Sequence, residues 1–223
     1  YEGRGGTCSA GCEKGKWGCI MLVTKIQAVT KQKYRIELDG QPAFVIYKGE
    51  LSRYGIKEGQ EIPGPVYQEL VGQVLTKRAK LRAMHLLESM DRTRAELERK
   101  LQAGEYPREA VEAALAYVES FGYLDDRRYA RHYVECKKEG RGKARLKMEL
   151  AQKGVDRSII EEVLEEAELD DSRDTIRELV RKRRRGSGPM DDRERQRIYG
   201  YLMRKGFSSS DILSVLKEKE DFC

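Results

Sequence analysis

The sequence predicts a mainly α fold: three tandem three-helix repeats forming an elongated curved body, preceded by a small N-terminal β meander. Three observations predict it. Apolar residues alternate with period two up to about Ile62 and recur with period 3.6 beyond it. One set of apolar positions returns three times at near-constant spacing. Charged residues make up 37% of the 223-residue chain against 39% hydrophobic, which implies more surface per residue than one rounded core allows. No run approaches the ~18 consecutive apolar residues of a membrane span, so no membrane is expected as a partner.

Residues 1–20 are Gly-rich and aperiodic, and they lack the basic start and apolar run of a secretory signal. They are expected to be a disordered extension ahead of an ordered start at Met21. Cys8, Cys12 and Cys19 have no fourth Cys or His nearby, and zinc wants four ligands at paired spacing, so no metal is expected. Five cysteines, an odd number, in a chain too long for a disulfide scaffold point to a reduced, cytoplasmic protein.

Residues 21–63 form the β-rich segment. Tyr34, Ile36 and Leu38 alternate with Lys33, Arg35 and Glu37; Asp39 and Gly40 supply a turn, and 43–47 returns. Residues 24–29 add a third strand, and 51–54 read as a helical turn ended by Gly55. After Pro63 the period changes. Pro65 suits a first helical turn, and 66–90 predicts one long helix or two abutting ones.

The repeats emerge when Leu101, Leu150 and Leu202 are aligned, 49 and then 52 residues apart. Four residues earlier stand Leu97, Leu146 and Ile198; five later, Tyr106, Val155 and Phe207. Val111, Ile160 and Ile212 follow at ten, then Leu115, Leu164 and Leu216 at fourteen. Second helices end in corners containing Gly104, Gly154 and Gly206, and first helices fit 78–90, 125–139 and 172–185. The three repeats therefore span 64–122, 123–170 and 171–223. Each is too small to stand firmly alone, so neighbours must stack.

No catalytic centre is expected, and no cofactor or small-molecule substrate. His85 and His132 fall inside helical patterns as ordinary helix residues. Gly140, Arg141, Gly142 and Lys143 lack the strand and spacing of a phosphate loop and read as a helix–helix connection. The pairs Asp125–Asp126 and Asp191–Asp192 stand where helices should begin, and capping is the better reading for them than metal binding.

Basic residues cluster, within a formal net charge of +6. Arg127, Arg128, Arg131, Lys137, Lys138, Arg141, Lys143, Arg145 and Lys147 lie in one stretch facing few acids, with Glu161, Glu162, Glu165, Glu166 and Glu168 interspersed further on. Such a patch suits phosphates or an acidic protein groove. Residues 181–185 are an unbroken run of five cations, followed by a Gly-Ser-Gly-Pro junction that reads as flexible.

Gly122-Tyr123-Leu124-Asp125-Asp126-Arg127-Arg128-Tyr129-Ala130, together with Gly140-Arg141-Gly142 and Leu150-Ala151-Gln152-Lys153-Gly154-Val155, resembles the RecX family of bacterial recombination regulators. The resemblance runs over about 21–219, and the β segment looks like that of longer Gram-positive members. It implies a non-enzymatic, cytoplasmic modulator, expected to be a monomer, that lies along the groove of the RecA–DNA filament. Such a protein restrains filament growth, ATP hydrolysis and strand exchange. The nine cations from Arg127 to Lys147 are then the expected contacts with RecA or with DNA phosphates, while Tyr123, Leu124, Tyr129 and Ala130 are expected to pack one repeat on the next. The alternative is a direct DNA-binding protein with helix-turn-helix-like modules.

Overall fold

The computed structural model describes residues 20–167, 172–184 and 190–218. Expectations for residues 1–19 with their cysteines, for Glu168, Arg185, the 186–189 junction and Cys223 lie outside the described residues. The chain divides into two compact units: Tyr1–Met90 with Leu97–Leu124, and Asp91–Glu96 with Asp125–Cys223.

The first unit opens with an antiparallel sheet of β1 (Ile20–Ala28), β2 (Lys33–Leu38), β3 (Gln41–Tyr47) and, after helix α1 (Lys48–Arg53), β4 (Glu61–Pro63), in the order β3-β2-β1-β4. Asp39 and Gly40 both take positive φ, 52° and 77°, the two-residue turn that matches strand twist. Ile26 pairs with Ile36, and Ile36 with Phe44. Val23, Ile36, Leu38, Phe44 and Ile46 are buried on one face. Pro42, which cannot donate to a ladder, lies in edge strand β3. Two features differ from expectation. β1 begins at Ile20 rather than near residue 24, because Met21 and Val23 also face the core. β4 was not expected at all: three residues show no period, and only Ile62, opposite Met21, is buried.

The long helical stretch is α2 (Gly64–Glu69), a π turn over Leu70–Leu75, and α3 (Thr76–Ser89), run together. Pro65 sits in the first turn as its fixed φ favours. α4 (Arg94–Gln102) and α5 (Arg108–Ser120) complete the first three-helix set. The second unit contains α6 (Asp126–Lys137), α7 (Lys143–Gln152), α8 (Arg157–Glu166), α9 (Ser172–Arg183), α10 (Asp192–Arg204) and α11 (Ser209–Glu218). Its apolar residues form two clusters. Ala130, Val134, Leu146, Leu150, Val155, Ile160, Val163 and Leu164 make one; Ile176, Val180, Ile198, Leu202, Phe207, Ile212, Val215 and Leu216 make the other.

All the aligned repeat positions are buried except Tyr106, which is half-buried. The corners agree less evenly. Gly154 and Gly206 take φ +81° and +87°, but in the first repeat the left-handed residue is Glu105 (φ +58°), one position after Gly104. Glu105 is the residue that aligns with Gly154 and Gly206, and a bidentate pair with Arg35 holds it there.

Candidate partner interface

Asp125 caps α6, its carboxylate accepting from the Arg128 backbone N–H at 3.0 Å, and Asp191 caps α10 through the N–H of Glu194 at 2.6 Å. Capping is thus the role of both aspartates. Once α6 starts at Asp126, Arg127 and Arg131 lie four apart on one face. That face meets α8. Arg127 pairs with Glu162, and Arg131 forms a two-point pair with Glu166 at 2.9 and 3.2 Å. Lys147 reaches Glu161 at 2.9 Å, and Lys138 reaches Glu135 at 2.8 Å. Hydrogen bonds from Arg157, then from Lys147, pull the Glu161 carboxyl down to about 2.

Arg141 and Arg145 both converge on Glu149, whose side chain is only 10% exposed, Arg145 at 2.7 Å. The Tyr133 hydroxyl donates to the same carboxylate at 2.8 Å. Six of the nine cations expected to meet a partner are therefore engaged by this chain's own carboxylates. Glu161, Glu162 and Glu166, which follow further on in the sequence, are in the fold directly opposite. Lys137 and Lys143 are exposed and make no ion pair among the described residues; Arg128 is also exposed.

The short connection between α6 and α7 is a 3-10 turn, Lys138–Gly140, followed by Gly142 as the cap of α7. Here the repeat logic becomes physical. Thr93 Oγ1 donates to the carbonyl of Lys153 at 2.6 Å, and a Cβ on Gly154 would come within 2.4 Å of Ala95 Cβ. In the aligned positions one repeat later, the N–H of Gly142 donates to the carbonyl of Lys205 at 2.8 Å. A Cβ on Gly206 would lie 2.4 Å from the backbone nitrogen of Arg145. The same joint occurs twice within the second unit: a Lys-Gly corner seated on the start of an earlier helix.

The two joints differ in charge. Lys153 is paired with Glu96 at 3.0 Å and lies over the rings of Tyr129 and Tyr133. The Tyr129 hydroxyl, and after it Glu96, hold its ammonium above the usual lysine value. In the next joint the position aligned with Glu96 is Arg145, already committed to Glu149. Lys205 therefore has no carboxylate partner among the described residues. It lies 5.7 Å from the ring centroid of Tyr201, and Arg183 of α9 lies 4.8 Å from the same ring. The Lys138–Gly140 turn packs on α9. This joint thus sets Lys205 and Arg183 against Tyr201, with exposed Lys143 next in the chain to the Gly142 that bonds the Lys205 carbonyl, a cationic surface that attracts anionic groups.

Of these residues the sequence marks Lys143 and, within the run 181–185 whose role it leaves open, Arg183; it does not mark Lys205 or Tyr201. The signal was available in two places: Tyr201 and Lys205 are four apart on one helix, and the aligned residues Glu96 and Arg145 have opposite charge. Of the residues expected to pack repeats together, Leu124, Ala130 and Tyr129 do lie in or against the cores, but Tyr123 is 54% exposed. His85 and His132 are exposed helix residues. Among the described residues no group of three or more His, Cys, Asp or Glu could hold a metal, and no helix is long and apolar enough to cross a membrane.

Three family models match the chain: RecX, first three-helix domain, over residues 79–117; RecX, second three-helix domain, over 125–164; and RecX, third three-helix domain, over 170–216. The regulatory protein RecX of Caldanaerobacter subterraneus subsp. tengcongensis is 32% identical over 199 residues, covering 88% of this chain and 98% of that protein. That of Clostridium acetobutylicum is 27% identical over 203 residues, covering 88% and 95%. A crystal structure of a regulatory protein RecX superimposes with a TM-score of 0.60 at 27% identity, covering 89% of this chain and 99% of the other. RecX from Lactobacillus salivarius gives 0.59 at 23% identity over 65% of this chain and 96% of its own.

Proposed function

The chain belongs to the RecX family, and from that we propose that it binds the RecA–DNA filament and restrains its growth, ATP hydrolysis and strand exchange, damping recombination and the SOS response. We place it in the cytoplasm as a monomer acting through contact alone, without a cofactor, a small-molecule substrate or a catalytic step. The observation that carries the reading is the unneutralised joint. Lys143, Lys205 and Arg183 project positive charge where the aligned joint is closed by Glu96. A filament repeats its own surfaces, so a repeat protein can join several weak contacts into one strong one.

The test is RecA ATP hydrolysis on single-stranded DNA, titrated with the folded protein. The rate should fall, and Lys143→Glu with Lys205→Glu should relieve the inhibition at least tenfold in concentration. Variants at Arg141 and Arg145 make poor probes because both residues hold the buried Glu149. An unchanged rate at several-fold excess of helical protein would sink the proposal. The same cationic joint also suits DNA phosphates directly. In that second reading the double variant loses affinity for DNA in the absence of RecA, and the wild type's DNA affinity falls steeply with salt.

A further inference from the structure

At the end of α5 three aromatic rings stand in a row on the first unit. Tyr117 and Phe121 are four residues apart on one helix face, their centroids 4.9 Å apart and tilted by 57°. Gly122 then turns the chain at φ +68°, and the Tyr123 N–H returns to the carbonyl of Val118 at 3.0 Å. That capped end brings the Tyr123 ring to within 16° of parallel with Phe121, at a centroid distance of 6.0 Å. Phe121 is 59% exposed and Tyr123 54%. Large aromatic side chains usually go to the core, so two neighbours left mostly in solvent and held in fixed geometry are a surface prepared for contact. Lys80 of α3 holds its ammonium 4.7 Å from the Tyr117 centroid, and Lys77, one turn earlier, is exposed.

We propose that Phe121 and Tyr123, braced by half-buried Tyr117, form a stacking platform for the bases of a single-stranded nucleic acid, with Lys80 and Lys77 facing its phosphates. Every base has a π face, so aromatic rings flanked by cations bind unpaired strands with little regard to sequence. A duplex keeps those faces inside its stack and offers only base edges. A stable protein interface buries ~800 Å² on each partner and excludes charge from its centre, whereas this row is three rings wide with a lysine over the first. Charge complementarity therefore favours a polyanion with flat bases. The site belongs to the first unit, whereas the cationic joint belongs to the second, and it concerns bases rather than phosphates alone.

The measurement is fluorescence anisotropy of the full chain, without RecA, against an oligothymidylate and a fully abasic strand of the same length. The oligothymidylate should bind about tenfold more tightly. Phe121→Ala and Tyr123→Ala should remove most of that margin while leaving the abasic affinity and its salt slope unchanged. Lys80→Ala should weaken both strands and shallow the slope. Phe121→Tyr keeps a ring and Phe121→Leu only bulk, so retention by the first and loss by the second separates stacking from misfolding. Equal affinity of the wild type for both strands would overturn the platform. So would a margin that survives both alanine variants, or variants that bind oligothymidylate normally yet fail to inhibit RecA, which would make this a protein-contact face. Because RecA is absent from the binding assay, its failure leaves the regulatory reading standing.

Discussion

Gly206 and Gly40 share a left-handed backbone, at φ +87° and +77°, yet they should respond very differently to a methyl group. At Gly40 nothing lies within 4 Å of a built Cβ, so Gly40→Ala pays only the conformational penalty, about 1 kcal/mol. At Gly206 the same atom would strike the backbone nitrogen of Arg145 at 2.4 Å, which neither residue can yield without moving α7. Gly206→Ala should therefore lower stability by at least ~2 kcal/mol, and denaturant midpoints of the two variants measured side by side check the difference. The glycines themselves were visible in the sequence as corner residues. The alignment also puts Glu105, not Gly104, opposite Gly206; what could not be read was that Glu105 takes the left-handed position, since the ion pair that holds it there spans 70 residues to Arg35.

Between elements, the facing rows of α6, α7 and α8 make the second unit sensitive to acid. Glu161 is drawn to about 2 from an ordinary 4.5 by Arg157 and Lys147, and Glu166 is lowered chiefly by its bond from Arg131. A carboxyl whose folded value lies below its unfolded value stabilises the fold above the unfolded value. That contribution is lost as pH falls from about 4.5 toward about 2. Stability should decline through this window, less steeply in Glu161→Gln and less steeply at high salt, because these groups are exposed and screened. Denaturation curves at stepped pH measure it; a slope unchanged by Glu161→Gln would show that the pair contributes nothing. Helix periodicity made each of these elements readable, because its apolar stripe is local. The ion pairs were not, because Arg127 and Arg131 meet carboxylates 35 residues away, and in a linear count those acids stand in a run of their own, apart from the cations they pair with.

Across the whole molecule, core organisation follows the repeats more closely than the charge pattern does. The aligned apolar positions specify separate clusters for α6–α8 and α9–α11, so the last three helices own a core of their own, eight buried residues among those described. So small a cluster holds only with help from its neighbour, and that help comes through the Gly142–Lys205 hydrogen bond and the close approach of Gly206 to Arg145. Native-state hydrogen exchange should show α9–α11 opening at lower free energy than the β sheet, and Gly142→Ala should lower protection there first. Uniform protection loss across both units would contradict this. The number of repeats could be read from sequence because core burial leaves a period; the seat between repeats could not, because it is made of backbone.

The seat that accepts Lys-Gly corners has an end point written into α10. Thr93 and Gly142 hold equivalent places at the very start of their helices, where a donor is free to reach an incoming corner. The next equivalent place is residue 194, but α10 begins at Asp192, an extra turn upstream by the same alignment. Glu194 is consequently inside the helix, its N–H already taken by Asp191. Growth by duplication could add copies in the middle of this array without inventing any new contact. At the start of α10 the equivalent N–H is already spent, so a further Lys-Gly corner would find no open donor in that place.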